Sequence, residues 1–253
     1  MLLNKLFNFF EAWKTPSSLT DFSLMSVDLH SHLIPGIDDG VKTLEESLDV
    51  LRQFEQMGFK KVITTPHIMA GGYDNTSEII IKGRDKVREA ITQAGINIQL
   101  DAAAEYYLDE TMYDKIEKKD LLTLGGDYIL MELSLSAKPS NVADIVYKQQ
   151  LAGYNVILAH PERYPYYYEK NFDSYQELKD RGIYFQINMM SLIGRYGKQA
   201  KATAEKMIDE NMVDFVGTDL HGMRHVESIK SCLNEKYLEK LFTSYKLLNK
   251  NLL

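Results

Sequence analysis

From residue 25 onward the chain alternates between short runs rich in β-branched residues and longer amphipathic stretches. Strands are predicted at residues 26–29, 61–64, 96–102, 128–133, 155–158, 183–187 and 213–216. Helices are predicted at residues 43–57, 77–94, 110–118, 141–152, 175–181, 198–211 and 235–248. Consecutive parallel strands need crossovers of this length, so the alternation indicates an α/β fold with a parallel sheet.

Two architectures fit this alternation, a closed barrel of the TIM type and an open, doubly wound sheet. A barrel gathers functional side chains from the ends of many strands, whereas an open sheet concentrates them at one switch point. Here candidate ligands follow every predicted strand except the sixth. The pattern favours the TIM-like barrel, as one domain at residues 25–253 after an N-terminal arm at residues 1–24.

Histidines and carboxylates recur where the predicted strands end. His30 and His32 stand two residues apart, so in an extended strand both imidazoles point to one face. Asp219 and His221 repeat that spacing after the last strand. The remaining candidates are Asp38, Asp39, His67, Glu105, Glu132 and His160. Such a cluster of charges is costly alone but becomes favourable around bound dications.

Each of these residues also has a structural interpretation when taken singly. A strand can carry buried histidines, Glu105 and Glu132 can be solvated acids, and Asp and Gly suit an ordinary turn at residues 38–40. Recurrence at the same end of several strands favours a shared metal site. The imidazole and carboxylate set contains no thiolate and suits Mn, Fe or Zn.

Two arginines and an aromatic segment lie close to these positions in the sequence. Arg163 follows His160 by three residues, and Arg224 follows His221 by three. Guanidinium groups beside a metal cluster are suited to capturing phosphate and stabilising its charge. The tyrosine-rich segment at residues 164–168 either walls the site with rings or packs as a surface loop.

Composition excludes several classes of protein. The chain has 45% hydrophobic and 26% charged residues and a net charge of −7, which argues against a general nucleic-acid binder. No apolar run reaches the length of a membrane span, so no stable membrane insertion is expected. The single cysteine, Cys232, cannot form an internal disulfide, and a cytoplasmic location is expected.

Seven motifs together resemble the polymerase-and-histidinol-phosphatase (PHP) superfamily. Within it they are similar to the bacterial manganese-dependent protein-tyrosine phosphatases of capsule and exopolysaccharide synthesis. The motifs are VDLHSH at 27–32, IDDG at 37–40, TPH at 65–67, AEYY at 104–107, MEL at 131–133, AHPERY at 159–164 and TDLH at 218–221. The resemblance runs from residue 26 to near the C-terminus, and the arm lies outside it.

The resemblance implies a distorted (β/α)7 barrel with a trinuclear metal centre. The implied ligands are His30, His32, Glu105 and Asp219 for one metal, Glu105 with Glu132 and His160 for a second, and Asp39, His67 and His221 for a third. Either Asp38 or Asp39 could be the metal ligand that this turn supplies, and the resemblance leaves the choice open. In the family's streptococcal members, the spacer between the last histidine and the following arginine is longer than the spacer between His221 and Arg224 in this sequence. The resemblance therefore supports Arg163 as a phosphate contact more strongly than it supports Arg224.

The implied activity is hydrolysis of phosphotyrosine in protein, with two or three Mn²⁺ ions expected and Fe or Zn as alternatives. Hydroxide activated by the metals would attack phosphorus while Arg163 and Arg224 stabilise the phosphoryl charge. Asp219 or a metal-bound water would protonate the leaving oxygen. No phosphoenzyme is expected, because cysteine phosphatases need an arginine six residues after the cysteine, and Leu238 stands there after Cys232.

The expected partner is a phosphotyrosine protein, specifically a bacterial tyrosine kinase of polysaccharide synthesis. One alternative is a histidinol-phosphate phosphatase or another PHP hydrolase that acts on a small phosphate ester. A non-enzymatic alternative is a metal-binding regulator of polysaccharide export. The acidity of the chain disfavours a PHP nuclease, and the sequence leaves the oligomeric state open.

Overall fold

The computed structural model describes residues 17–168 and 171–253. Its strands are β1 Val27–Asp28, β2 Lys61–Thr64, β3 His67–Ile68, β4 Gln99–Ala102, β5 Glu105–Tyr107, β6 Tyr128–Glu132, β7 Asn155–Ala159, β8 Tyr184–Asn188 and β9 Phe215–Gly217. Its α-helices are α1 Leu44–Gln56, α2 Ser77–Gln93, α3 Met112–Lys118, α4 Val142–Leu151, α5 Asp173–Asp180, α6 Met189–Leu192, α7 Lys198–Asp209, α8 Val226–Cys232 and α9 Lys236–Ser244. Short 3₁₀ turns occupy Pro161–Arg163, Pro165–Tyr167, Met223–His225 and Asn249–Leu252.

The strands form two parallel sheets that follow one another around a ring. Their orders are β1-β2-β4 and β3-β5-β6-β7-β8-β9. Between β9 and β1 the ring is joined by a parallel bridge from Ser31 to Leu220 rather than by a longer ladder. Two backbone hydrogen bonds flank this bridge, from the N–H of His32 to Leu220 and from the N–H of Asp219 to His30. The predicted TIM-like α/β barrel, in its distorted form, is confirmed.

The division into two sheets occurs at two breaks. Residues 65–66 separate β2 from β3, and residues 103–104 separate β4 from β5. Pro66 has no N–H to donate to a ladder, although its carbonyl still accepts from the N–H of Glu105 at 3.1 Å. The strand predicted at 96–102 is observed as the shorter β4, and β5 is a further strand that the sequence did not predict.

The helix α1 shows how sequence signals set the bounds of these elements. The hydroxyl of Thr43 accepts a hydrogen bond from the N–H of Glu46 at 3.2 Å, which caps the first turn as predicted. The Glu46 carboxylate accepts from the N–H of Lys42 instead of returning to Thr43. Gly58 follows the helix with a φ of +93°, a left-handed conformation that strains other residues.

The end of the chain seals the barrel at the amino ends of β1 and β9. The amide of Asn249 is fully buried, donates to the carbonyls of Val27 and Val216 and accepts from the N–H of Val216. The last helix stops at Ser244, earlier than the predicted 248, and the chain then turns so that Asn249 enters this position.

Residues 17–24 belong to the stretch predicted as an arm, and they pack on the domain. The fully buried ring of Phe22 stacks on Phe59 with centroids 5.2 Å apart. The N–H of Phe22 donates to the carbonyl of Met57 at 2.8 Å. The rest of the predicted arm, residues 1–16, lies outside the described residues. Within the described residues, no helix combines the length and apolar character needed to cross a bilayer.

Candidate metal centre

Strand β1 brings two imidazoles to the carboxyl end of the barrel. His30 and His32 are both fully buried, with ring centroids 5.6 Å apart. Their Nε2 atoms lie 3.1 Å and 3.4 Å from Oε2 of Glu105, which begins β5. The spacing of two residues thus places both rings toward one carboxylate, as the extended backbone requires.

Glu105 lies at the centre of the cluster. Besides the two histidines that follow β1, its Oε2 is 3.3 Å from Nδ1 of His67, and its Oε1 is 3.2 Å from Nε2 of His160. Glu132, at the end of β6, has its Oε1 3.5 Å from the same nitrogen of His160. One buried carboxylate is therefore surrounded by four histidines from three places around the ring, after β1, in β3 and after β7.

Asp219 faces this cluster from the last strand. Its Oδ1 lies 3.4 Å from Nε2 of His30 and 3.5 Å from Nδ1 of His221. Its Oδ2 accepts hydrogen bonds from Arg163 at 2.9 Å and from the side-chain amide of Asn188 at 2.7 Å. Both Asp219 and His160 have positive φ, +50° and +34°, which costs on the order of 1–3 kcal/mol each outside glycine. Strained strand exits of this kind occur where function fixes a side-chain direction.

The two aspartates of the turn after β1 occupy different positions. Oδ2 of Asp38 is 2.8 Å from Nδ1 of His32, and its oxygens also accept from the N–H groups of Gly40 and His67. Oδ1 of Asp39 instead lies 3.3 Å from Nε2 of His221 and 3.6 Å from Nε2 of His67. Asp38 therefore holds a histidine in place, while Asp39 faces the cluster directly.

The donor atoms form overlapping groups with the spacing of a metal site. In each group one ligand atom per residue lies within 4.8 Å of all the others. The groups are His32, Asp39, His67 and His221; His30, His32 and Glu105; His30, His160 and Asp219; and His67, Glu105 and Glu132. Every residue predicted as a metal ligand from the sequence is brought into one of these groups.

Unpartnered nitrogens indicate that the cluster fits metal ions. Nε2 of His30, Nε2 of His32 and Nδ1 of His67 are buried and, among the described residues, have no hydrogen-bond partner of acceptable geometry. Leaving such atoms unsatisfied is costly. Neutral imidazole nitrogens with carboxylate oxygens are a suitable donor set for Mn, Fe or Zn.

The pKa values of several residues in the cluster differ strongly from their usual values. Burial opposes protonation of His30, but Glu105 and Asp219 outweigh it and raise the pKa of His30 to about 9. Burial together with Arg163 lowers the pKa of His160 to about 4. Burial, reinforced by the charge of Glu105, raises the pKa of Glu132 well above its usual value. Metal ligands must be deprotonated, so loading this centre releases protons.

A cavity of about 350 Å³ opens over the cluster. The two predicted arginines, Arg163 and Arg224, both line it, together with Arg195. The Arg163 guanidinium lies 4.3 Å from the centroid of the Tyr196 ring. The apolar part of the wall comes from Met69, Tyr73, Leu135 and Tyr196.

The tyrosine-rich segment at residues 164–168 packs into the fold and does not line this cavity. Tyr164 and Tyr167 are buried in the core. The Tyr164 hydroxyl accepts from the N–H of Leu133 and donates to the carbonyl of Ala159. Of the two interpretations that the sequence left open, a packed loop fits better than a wall of the site. The loop is not a surface loop throughout, because two of its rings are buried.

Sequence reasoning missed several residues of this region. Arg195 and His225 line the cavity, and Gln186 and Asn188 lie behind the ligands. The missed signal was at the end of the sixth predicted strand, which has no ligand but carries the amide of Gln186 in an apolar run and is followed directly by the amide of Asn188. His225 is the sixth histidine of the chain; its Nδ1 accepts from the N–H of His221 at 3.2 Å.

Comparisons with known proteins agree with this geometry. A profile of the CpsB/CapC family, described as capsular polysaccharide synthesis, matches residues 26–250. The tyrosine-protein phosphatase YwqE of Bacillus subtilis is 29% identical over 199 residues, 78% of this chain and 78% of the relative. The tyrosine-protein phosphatase CpsB of Streptococcus pneumoniae is 29% identical over 203 residues, 78% of this chain and 83% of the relative.

A solved structure extends the similarity to the fold. It comes from crystal structures of YwqE from Bacillus subtilis and CpsB from Streptococcus pneumoniae, described as metal-dependent tyrosine phosphatases. The match has a TM-score of 0.77 and 26% identity and covers 90% of this chain and 95% of that one. Because the family profile spans nearly all of the described fold, this chain belongs to the CpsB/CapC family of capsular polysaccharide synthesis.

Proposed function

We propose that this protein is a metal-dependent protein-tyrosine phosphatase. The observation that carries the proposal is the convergence of five histidines and four carboxylates at one end of the barrel, beneath a cavity lined by arginines. The relatives named above as tyrosine-protein phosphatases support the same activity.

We assign metal binding to nine side chains and expect two or three ions, with Mn²⁺ favoured over Fe and Zn. The ligands are His30, His32, Asp39, His67, Glu105, Glu132, His160, Asp219 and His221. Bound dications would lower the pKa of water to supply a nucleophile at neutral pH and would offset negative charge on the phosphoryl group. Asp38 serves as the carboxylate that orients His32.

The arginines at the mouth bind the phosphoryl oxygens in this proposal. Arg163 is fixed by its bond to Asp219 and by the Tyr196 ring, which pre-organises its planar donors. Arg195 and Arg224 are exposed and, among the described residues, form no ion pair with a carboxylate. They provide a basic rim on an acidic protein of net charge −7, which draws a phosphorylated segment to the cavity.

Asp219 acts as a ligand rather than as the proton donor to the leaving group. Its pKa lies well below the usual value, because His30, His32 and other neighbouring positive groups outweigh its burial. As a metal ligand it would be ionised, and its Oδ2 already accepts hydrogen bonds from Arg163 and Asn188. We assign protonation of the leaving tyrosyl oxygen to water at the open mouth of the cavity.

Cys232 takes no part in the reaction. Its thiol is fully buried beneath α6, where Sγ lies 3.5 Å from the carbonyl of Met189, and burial raises the pKa of the thiol. It does not line the cavity. Direct transfer of the phosphoryl group to water, without a covalent phosphoenzyme, fits this arrangement.

The wall of the cavity favours an aromatic leaving group. Tyr73, Tyr196, Met69 and Leu135 line it and offer apolar contact to a phenyl ring. We propose that the substrate is a phosphotyrosine protein in the cytoplasm, a bacterial tyrosine kinase of capsule or exopolysaccharide synthesis. The family's place in capsular polysaccharide synthesis supports that choice.

A direct comparison of substrates tests this function. Purified protein is assayed on a phosphotyrosyl peptide and on histidinol phosphate, each with a chelator and with added Mn²⁺. We expect Mn²⁺-stimulated hydrolysis with kcat/KM for the peptide at least about tenfold higher, a difference of roughly 1.4 kcal/mol. Faster turnover of histidinol phosphate would favour the small-ester hydrolase, and no turnover of either substrate would favour a metal-binding regulator.

A further inference from the structure

Strand β8 supplies no metal ligand, yet two of its polar side chains point into the barrel directly behind the cluster. Gln186 and Asn188 are both fully buried. They stand two residues apart on an extended strand and so share one face. Burying two primary amides is unfavourable unless their donors and acceptors are all matched, so their partners matter.

Each amide bridges two groups. Oε1 of Gln186 lies 2.8 Å from Nδ1 of His30, and its Nε2 donates to Oδ1 of Asn188 at 2.9 Å. Nδ2 of Asn188 donates to Oδ2 of Asp219 at 2.7 Å. The result is a continuous series of hydrogen bonds from His30, after β1, through β8, to Asp219, after β9.

The donor and acceptor in each of these hydrogen bonds follow from the carboxylate of Asp219. An ionised Asp219 can only accept, so Asn188 must present its NH₂ group to Asp219 and its oxygen to Gln186. Gln186 must then present its NH₂ group to Asn188 and its oxygen to His30. That oxygen can only accept, so Nδ1 of His30 carries a proton and Nε2 is left free to face Glu105.

The same strand end also anchors the loop that carries Arg163. Oε1 of Glu162 accepts from the N–H of Asn188 at 2.9 Å and from the hydroxyl of Ser191 at 2.6 Å. Arg163 and Asn188 donate to the same Oδ2 of Asp219. The end of β8 thus fixes the direction of the phosphate-binding arginine as well as that of the ligands.

We propose that Gln186 and Asn188 are positioning residues that hold His30 in its metal-binding tautomer and fix the orientation of Asp219. The proposal rests on the metal centre assigned above. Partners of this kind, outside the ligands themselves, typically contribute 10–100-fold to metal affinity. Strand β8 therefore orients the metal ligands although it supplies none of them.

Gln186→Leu tests the proposal, because leucine fills similar space without an acceptor for His30. The matched control is Gln149→Leu, which changes another fully buried glutamine, one outside the cavity whose Nε2 lies 3.5 Å from Sδ of Met112. Mn²⁺ affinity is measured by calorimetry, folding by circular dichroism, and the His30 tautomer by ¹⁵N NMR of the zinc-loaded protein.

We expect Gln186→Leu to weaken Mn²⁺ binding by about 10–100-fold and Gln149→Leu to leave it unchanged. Saturating Mn²⁺ should restore most of kcat in Gln186→Leu but not in Asn188→Leu, which also releases Asp219. Gln186→Glu keeps an acceptor for Nδ1 of His30, so its Mn²⁺ affinity should lie closer to wild type than that of Gln186→Leu.

Wild-type Mn²⁺ affinity and an unchanged His30 tautomer in folded Gln186→Leu would overturn the proposal. Equal weakening in Gln149→Leu would also overturn it, since the effect would then be general loss of packing. A wild-type protein that binds Mn²⁺ but hydrolyses no phosphotyrosine contradicts the proposed function alone. In that case the affinity difference between the two leucine variants still decides the role of Gln186.

Discussion

Oδ2 of Asp38 lies 2.8 Å from Nδ1 of His32, so this carboxylate orients the histidine from behind. The next residue, Asp39, faces the opposite way and approaches His221 and His67 across the mouth of the cluster. Under the proposed metal centre, these adjacent aspartates have different roles, one supporting a ligand and the other being one.

Exchanging each aspartate for asparagine separates these roles. Asp39→Asn should lose one bound ion at a metal concentration that fills the wild type, because a direct ligand loses its charge. Asp38→Asn should keep the number of ions but bind them about 10–100-fold more weakly. Metal content after gel filtration, together with calorimetry, checks both. Loss of an ion only in Asp38→Asn would reverse the assignment.

Arg163→Ala should lower kcat/KM for a phosphotyrosyl peptide by at least about tenfold, or roughly 1.4 kcal/mol. The physical reason is the loss of a pre-organised planar donor beside the phosphoryl group. Arg163→Lys should restore only part of the activity because an ammonium lacks the guanidinium fork. Arg52→Ala, on the exposed face of α1, is the control. A decrease of less than tenfold would show that Arg163 has another role.

Arg195→Ala and Arg224→Ala should act mainly on KM. Both side chains are exposed at the rim, so they attract the phosphorylated segment more than they stabilise the reacting group. We expect KM to rise about 3–10-fold at low salt and the difference to shrink at high salt, where exposed charges are screened. Lys198→Ala removes a nearby exposed charge that does not line the cavity. Changes confined to kcat would contradict this account.

Asp28 gives a prediction for stability against pH. Burial raises its pKa from 3.8 to about 7, although Thr218 donates to it from both its N–H and its hydroxyl. Because the folded state holds this proton more tightly, the contribution of Asp28 to stability is full below pH 3.8 and is lost as pH rises through about 7. Asparagine has no such titration.

The free energy of unfolding of the metal-free wild type should therefore fall relative to that of Asp28→Asn as pH rises. Between about pH 5 and about pH 7, the difference in unfolding free energy between the two proteins should change by up to about 2 kcal/mol. Urea unfolding at the two pH values measures it, with Asp49→Asn as an exposed control. A difference that grows in the opposite direction would contradict the raised pKa.

The sequence predicted which residues lie together at the candidate metal centre because of one geometric rule. Parallel strands bring their carboxyl ends to one side of a barrel, so His30, His67 and His160 could be grouped without knowing any distance. The His-x-His spacing also predicted that His30 and His32, in the extended segment after β1, point the same way. What spacing could not provide was the orientation of each carboxylate, so Asp38 and Asp39 were left unresolved.

Other features depend on contacts between distant segments. The short strands β3 and β5, which follow the breaks at 65–66 and 103–104, were not predicted, because they are defined by their pairing with neighbouring strands rather than by local propensity. Arg195 lies in a loop with no local pattern that points to the cavity. Gln186 and Asn188 did leave a signal, two amides in a buried strand, but interpreting it required the positions of His30 and Asp219.

The most direct test of the central claim is the metal content of the purified protein measured beside its phosphotyrosine activity. We expect two or three Mn²⁺ ions per chain, hydrolysis of a phosphotyrosyl peptide that is abolished by chelation, and recovery as Mn²⁺ is restored. A metal-free protein that hydrolyses the peptide at the same rate, or a fully loaded protein that does not hydrolyse it, would contradict the account.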